Sequence, residues 1–127
     1  MPEFLLLLRD NPADFQSWTP EDLQRCVESY RAWSEKLLAE NKMVRSDKLR
    51  DEGGRHVRRN GSGSGAGTSA EVTVAEGPYT EAREVIGGLF QVRAADYDEA
   101  VAIARTCPHL ENGWIEIRQI EELEGAG

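Results

Sequence analysis

The stretch that most constrains this chain is Phe4-Leu5-Leu6-Leu7-Leu8, bounded by Glu3 on one side and Arg9-Asp10 on the other. A membrane span needs roughly 20 apolar residues, so this run is far too short for one. Its length suits a buried strand. Successive strand side chains point to opposite faces, so an unbroken apolar run loads both faces of a sheet. Such a strand belongs in the middle of a sheet, with helices on one side and a second cover on the other. No basic segment precedes the run, so a secretory leader is not expected.

Two helices are legible from their ends. After a loop over 11–18, Thr19 is a capping residue, Pro20 suits the first helical position, and Glu21 and Asp22 favour the positive helix end. Leu23, Cys26, Val27, Tyr30, Trp33, Leu37 and Leu38 then follow the 3.6-residue period, which predicts an amphipathic helix over 19–41 with Asn41 as terminator. Asp96 caps a second helix, with Glu99 as its box partner. Ala100, Val101, Ala104 and Cys107 form its expected buried stripe, and Pro108 ends it.

The strands are less uniform. Residues 43–49 read equally as strand or turn, 51–54 as a turn, and 56–59 as a short strand. The sequence NGSGSGAG at 60–67 predicts a flexible hairpin tip. Glu71–Ala75 alternates as a strand should, 76–79 is a turn, and Glu84–Arg93 is a strand interrupted by Gly87-Gly88. Paired glycines there predict a bulge or a close backbone approach. Trp114–Ile120 is the last strand, and 121–127 an acidic, frayed tail. Without the extra hairpin the order is a split βαβ pattern in one domain, an antiparallel sheet with helices on one face. Leu6 and Leu8 or Leu5 and Leu7, Val72 and Val74, Leu89 or Phe90, and Ile115 and Ile117 give both faces apolar content, so a homodimer packed sheet against sheet is expected.

Composition narrows the function classes. The 127 residues are 39 % hydrophobic and 30 % charged, as in a soluble globular protein, with net charge -8. The charge is uneven. Residues 42–59 carry seven bases and three acids, net +4, so the remainder carries -12. An acidic body repels DNA, and the basic stretch has no aromatic platforms for bases, so direct nucleic-acid binding is not expected. The basic stretch offers instead a surface for an anion, an acidic protein partner or the body of a second subunit. Cys26 and Cys107 fall in predicted helical stretches and read as buried free thiols of a cytoplasmic protein. They and the two histidines, His56 and His109, lack the spacing of a metal site. There is no nucleophile elbow, phosphate loop or dinucleotide motif, and no cofactor is expected.

Several motifs together resemble a known family. Glu76-Gly77-Pro78-Tyr79, followed by Glu81, Glu84 and Ile86-Gly87-Gly88-Leu89-Phe90, resembles the signature of the DGPF branch of YCII-related proteins. Asp98-Glu99-Ala100, Cys107-Pro108-His109-Leu110, Gly113 and Ile115-Glu116-Ile117-Arg118 resemble the family's C-terminal part. The opening strand and Thr19-Pro20-Glu21 are similar as well. The resemblance covers about 1–45 and 71–120; the basic region and the tip at 50–67 are not family-like. Glu76 replaces the usual Asp, Tyr79 the usual Phe, and Gln119 a frequent Pro. The resemblance implies a ferredoxin-like fold pairing into a dimeric α/β barrel. Relatives in that superfamily include small isomerases, monooxygenases and haem enzymes. A His–Asp pair proposed as catalytic in YCII-type relatives has no match at either histidine here. Some DGPF members are encoded beside, or fused to, sigma factors.

Two functional classes follow. In the first, a cleft between sheet and helices binds a small molecule. Glu76, at a strand end beside a Gly-Pro turn, is the candidate acid or base. His109 is the candidate proton carrier. Tyr79, Arg83 and Trp33 are the candidate binding residues, with Arg83 suited to a carboxylate. Each has a plainer role open to it: turn hydrogen bonds for Glu76, a helix-end cation for His109, a surface ion pair for Arg83, packing for Tyr79 and Trp33. In the second class, the protein is a non-catalytic interaction module linked to transcription regulation, working through 42–59.

Overall fold

The computed structural model describes residues 1–50, 54–60, 71–76 and 85–123. The opening run forms β1 (Glu3–Asp10), and its burial alternates as a half-covered strand requires: Phe4 and Leu6 are fully buried and Leu8 nearly so, while Leu5 and Leu7 are partly exposed. Burying each of these large side chains contributes about 1.5–3 kcal/mol. A 3₁₀ turn (Pro12–Phe15) capped by Asn11 leads to α1 (Pro20–Ala39). Thr19 closes a full capping box: its Oγ1 accepts from the Asp22 N–H at 3.1 Å, and its own N–H donates to Asp22 at 2.9 Å. Beyond the helix, Asn41 takes a left-handed φ of 60° and turns the chain into β2 (Met43–Lys48).

The basic segment and the strand after it form a separate two-stranded hairpin, β3 (Arg55–Arg59) with β4 (Val72–Glu76). Val72 and Val74 therefore do not belong to the main sheet, contrary to the sequence expectation. Alternation alone gives a strand's pleat and not its partner. The chain returns as β5 (Val85–Arg93), continues as α2 (Tyr97–Arg105) and a 3₁₀ turn (Pro108–Glu111), and ends in β6 (Trp114–Gln119).

The four main strands lie in the order β2-β5-β1-β6, each neighbouring pair antiparallel. This interleaves two βαβ units, β1-α1-β2 and β5-α2-β6, which is the split βαβ arrangement. The Gly-Gly pair marks a bulge as expected. Leu8 pairs with Gly88 and Arg9 with Ile86, so Gly87 is the extra residue on β5. A Cβ on Gly88 would stand 2.9 Å from the Asp47 carbonyl oxygen, so a side chain there would force β2 away from β5.

Both helices cover one face. Trp33 and Leu37 of α1, and Ala100, Ile103 and Ala104 of α2, pack with Phe4, Leu6, Leu8, Phe90, Val92 and Met43. The alanines let α2 approach the sheet closely. Ile103, rather than the expected Val101, completes its stripe, and Val101 is exposed. Cys107 is buried, but it lies beyond the helix and precedes the second 3₁₀ turn. On α1, Leu23, Val27 and Leu38 are exposed, so its apolar face is wider than the core it covers. The tip at 61–67, most of the turns at 51–54 and 76–79, and the end of the tail lie outside the described residues.

Candidate functional site

His109 is the one buried polar residue among the described residues. Three elements meet at its ring. Nε2 lies 2.8 Å from the Arg9 backbone carbonyl at the end of β1, and Nδ1 lies 2.7 Å from the Tyr30 hydroxyl of α1. A carbonyl only accepts, so Nε2 carries a proton, and in the neutral ring Nδ1 then accepts from the Tyr30 O–H. Burial, and then the charges of Cys26, Cys107, Asp10 and Glu111, push the Tyr30 phenol above its ordinary range, so it stays a donor. Gly113 closes the cluster: a Cβ there would fall 2.3 Å from the Arg9 oxygen and 2.6 Å from His109 Nε2. The second 3₁₀ turn is thereby fastened to both β1 and α1. Neither ring nitrogen is presented to a bound molecule in this arrangement.

Trp33 sits in the core, 8 % exposed, with its ring edge-on to Phe90 at 4.8 Å. Its indole N–H donates to Thr106 Oγ1 at 2.8 Å, tying α1 to the end of α2. Together with Phe4, Phe90 and Val92 it fills the space between sheet and helices where a cleft was expected. Glu76 closes β4, with its backbone opposite Arg55. Its side chain, and all of Tyr79 and Arg83, lie outside the described residues. Among the described residues the ring partners of His109 are Tyr30 and Arg9, and Trp33, the other candidate described with its side chain, bonds Thr106 instead.

Among the described residues an open groove lies elsewhere, and no sequence motif pointed to it. A groove of about 560 Å³ runs between the start of α1 and the second 3₁₀ turn, lined in part by Trp18, Asp22, Arg25, Ser29, Glu111 and Asn112. Trp18 is held edge-on against Phe15 at 4.7 Å. Arg25 reaches Asp22 at 2.5 Å. The Thr19 N–H and hydroxyl, and then Arg25, hold the Asp22 carboxyl below the usual carboxylate range. The charged lining of the groove is therefore two carboxylates, Asp22 and Glu111, and one guanidinium, Arg25, of which Asp22 and Arg25 pair with each other. The only local signal was the helix-start motif. The other wall follows α2 by a Pro-directed turn, and only the tertiary fold brings the two together.

The sheet face opposite the helices carries Leu5, Leu7, Ile86 and Leu89, each half-buried. Charges rim it. Arg9 bonds Glu116 at 3.0 Å, lies 5.5 Å from the Trp114 ring centre, and leaves its buried Nε without a hydrogen-bond partner. The Arg9 hydrogen bond, and then the charges of Arg9 and Arg118, hold the Glu116 carboxyl below its ordinary range. Glu3 accepts from Gln91 at 2.6 Å and lies 4.0 Å from Arg93.

Among the described residues no helix is long and apolar enough to cross a membrane, and no three His, Cys, Asp or Glu side chains cluster as metal ligands would. The fold and its site thus define a small α+β protein of interleaved βαβ units, with a histidine-tied turn beside a polar groove. Residues 3–124 match the YCII-related domain family, and the chain belongs to it. The curated proteins contain no match to the chain.

Proposed function

We propose that this protein is a homodimer, joined through its open sheet faces, that binds a small polar molecule in the groove between α1 and the second 3₁₀ turn. The groove carries the reading. Its volume of about 560 Å³ falls in the range of ligand sites, and aromatic, amide, hydroxyl and charged groups converge on it. The surplus carboxylate favours a ligand with an amine or several hydroxyl donors, and the Trp18 ring offers a surface for a flat group. Binding without acid–base catalysis is the form we favour, because Tyr30 and the Arg9 carbonyl occupy both nitrogens of His109. The DGPF-branch assignment and the barrel-like dimer are part of the same reading. Half-buried aliphatic residues on the open face, rimmed by ion pairs, support the dimer.

The test is an NMR titration with tryptamine, and with benzoate as an anionic control. Tryptamine should shift the Trp18 indole and the Ser29 and Asn112 amides while leaving the Trp33 indole unmoved. Glu111→Gln should weaken it roughly tenfold, the loss of one charge-assisted hydrogen bond. Shifts centred away from the groove, or equal binding of benzoate, would remove the proposal.

A further inference from the structure

The β3–β4 hairpin is a basic arm with an uncovered apolar face. By register, Val57 pairs with Val74 and Arg59 with Val72, which places Val57, Val72 and Val74 on one side together with Arg55 and Arg59. The three valines are 62 %, 49 % and 59 % exposed. A two-stranded hairpin is marginal in water unless a face is packed. Among the described residues, neither of its strands packs extensively against the main sheet or the helices.

A matching surface exists on the same sequence. Leu23, Val27 and Leu38 are 50 %, 52 % and 58 % exposed and fall on one strip along α1. Beside the strip, Glu21, Glu28 and Glu35 recur every seven residues and form an exposed row, with Arg31 the one cation between row and strip. Glu28 and Glu35 stand about 10.5 Å apart along a helix. Arg55 and Arg59 stand about 13 Å apart along a strand. Apolar strip and charged row therefore match apolar strip and charged row. At larger scale, β3 carries Arg55, Arg58 and Arg59 and no acid, on a chain of net charge -8.

We infer that the hairpin of one copy docks its valine face on the α1 strip of a second copy, with Arg55 and Arg59 against the row of Glu28 and Glu35. The contact is reciprocal under two-fold symmetry, since each copy supplies both an arm and a helix. It is separate from the sheet-to-sheet pairing proposed above.

The experiment mixes isotopically light and heavy full-length chains that carry a benzophenone amino acid at Val72, then maps the photo-crosslinks by mass spectrometry. Crosslinks should join light to heavy chains and land within residues 23–38. Their yield should fall at least threefold between 50 mM and 500 mM salt, as exposed ion pairs are screened. Arg55→Glu with Arg59→Glu should lower the yield at least fivefold, and Glu28→Arg with Glu35→Arg on the opposite copy should restore it. The crosslinks should persist in Leu7→Arg, which opens the sheet contact, so failure of that contact is read separately. Crosslinks confined to single chains, landing off α1, indifferent to the charge swap, or abolished by Leu7→Arg would overturn the inference.

Discussion

The Tyr30 hydroxyl does for the fold what a covalent staple does elsewhere, holding one nitrogen of a ring whose other nitrogen holds a strand carbonyl. Tyr30→Phe should leave His109 Nδ1 buried without a donor and cost about 1–3 kcal/mol in urea unfolding. Gly113→Ala should cost at least as much, because the added methyl falls on the Arg9 carbonyl and on the ring itself, and backbone must move. The buried thiol reports the same packing. Burial pushes Cys107 up to about 11 from an ordinary value of 9.0. A raised folded value means that its contribution is fully present below pH 9 and is lost as pH rises towards 11. Alkylation at pH 8, followed by mass spectrometry, should accordingly modify half-buried Cys26 well before Cys107. Little of this was legible beforehand. The sequence marked His109 as a residue near a helix end, but its partners lie 79 and 100 positions away. Local pattern carries no information about contacts that distant.

Elements were far more legible, because their causes are local. Thr19-Pro20-Glu21-Asp22 announces the start of α1, and the capping box is fully formed. Thr19→Ala should cost about 1 kcal/mol, read as a lower melting temperature with unchanged helix content in the folded baseline. Asp96 likewise caps α2, although Glu99 reaches back to the Ala95 N–H rather than to the cap residue itself. The two glycines of β5 were expected to mark a bulge or a close approach, and they divide the two roles between them. Gly87→Ala meets only the movable end of the Asp10 side chain at 3.0 Å, and should be mild. Gly88→Ala meets the Asp47 carbonyl, and should cost roughly 1–3 kcal/mol as β2 is pushed off the sheet. Hydrogen exchange in β2 distinguishes the pair, rising in the Gly88 variant alone. Pairing was the illegible part. Glu71–Ala75 reads as a strand, yet nothing in its alternation told whether Val72 and Val74 would meet the main sheet or the basic segment.

At the scale of the whole molecule, the opening run still sets the terms. A strand with Phe4, Leu6 and Leu8 against the helices must point Leu5 and Leu7 the other way, and β5 sets Ile86 and Leu89 beside them. One helical layer cannot cover both faces, so a face of half-buried aliphatics is left rimmed by Arg9–Glu116 and by Glu3 with Gln91 and Arg93. This much followed from five letters of sequence; the ion-pair rim did not, because it depends on the order β5-β1-β6. If the faces pair, each Leu7 enters a water-free layer where a charge is costly. Sedimentation at micromolar concentration in about 500 mM salt, where the exposed ion pairs of the arm contact are screened, should give twice the chain mass for the native protein, and a single chain mass for Leu7→Arg. The native melting temperature should rise with protein concentration, as dissociation coupled to unfolding requires. In Leu7→Arg at the same high salt it should be concentration-independent, while circular dichroism stays native because the helix-covered face is untouched. A native protein that sediments as one chain at every concentration would mean that the Leu5–Leu7 face meets water in solution. The sheet-to-sheet dimer would then have to be given up.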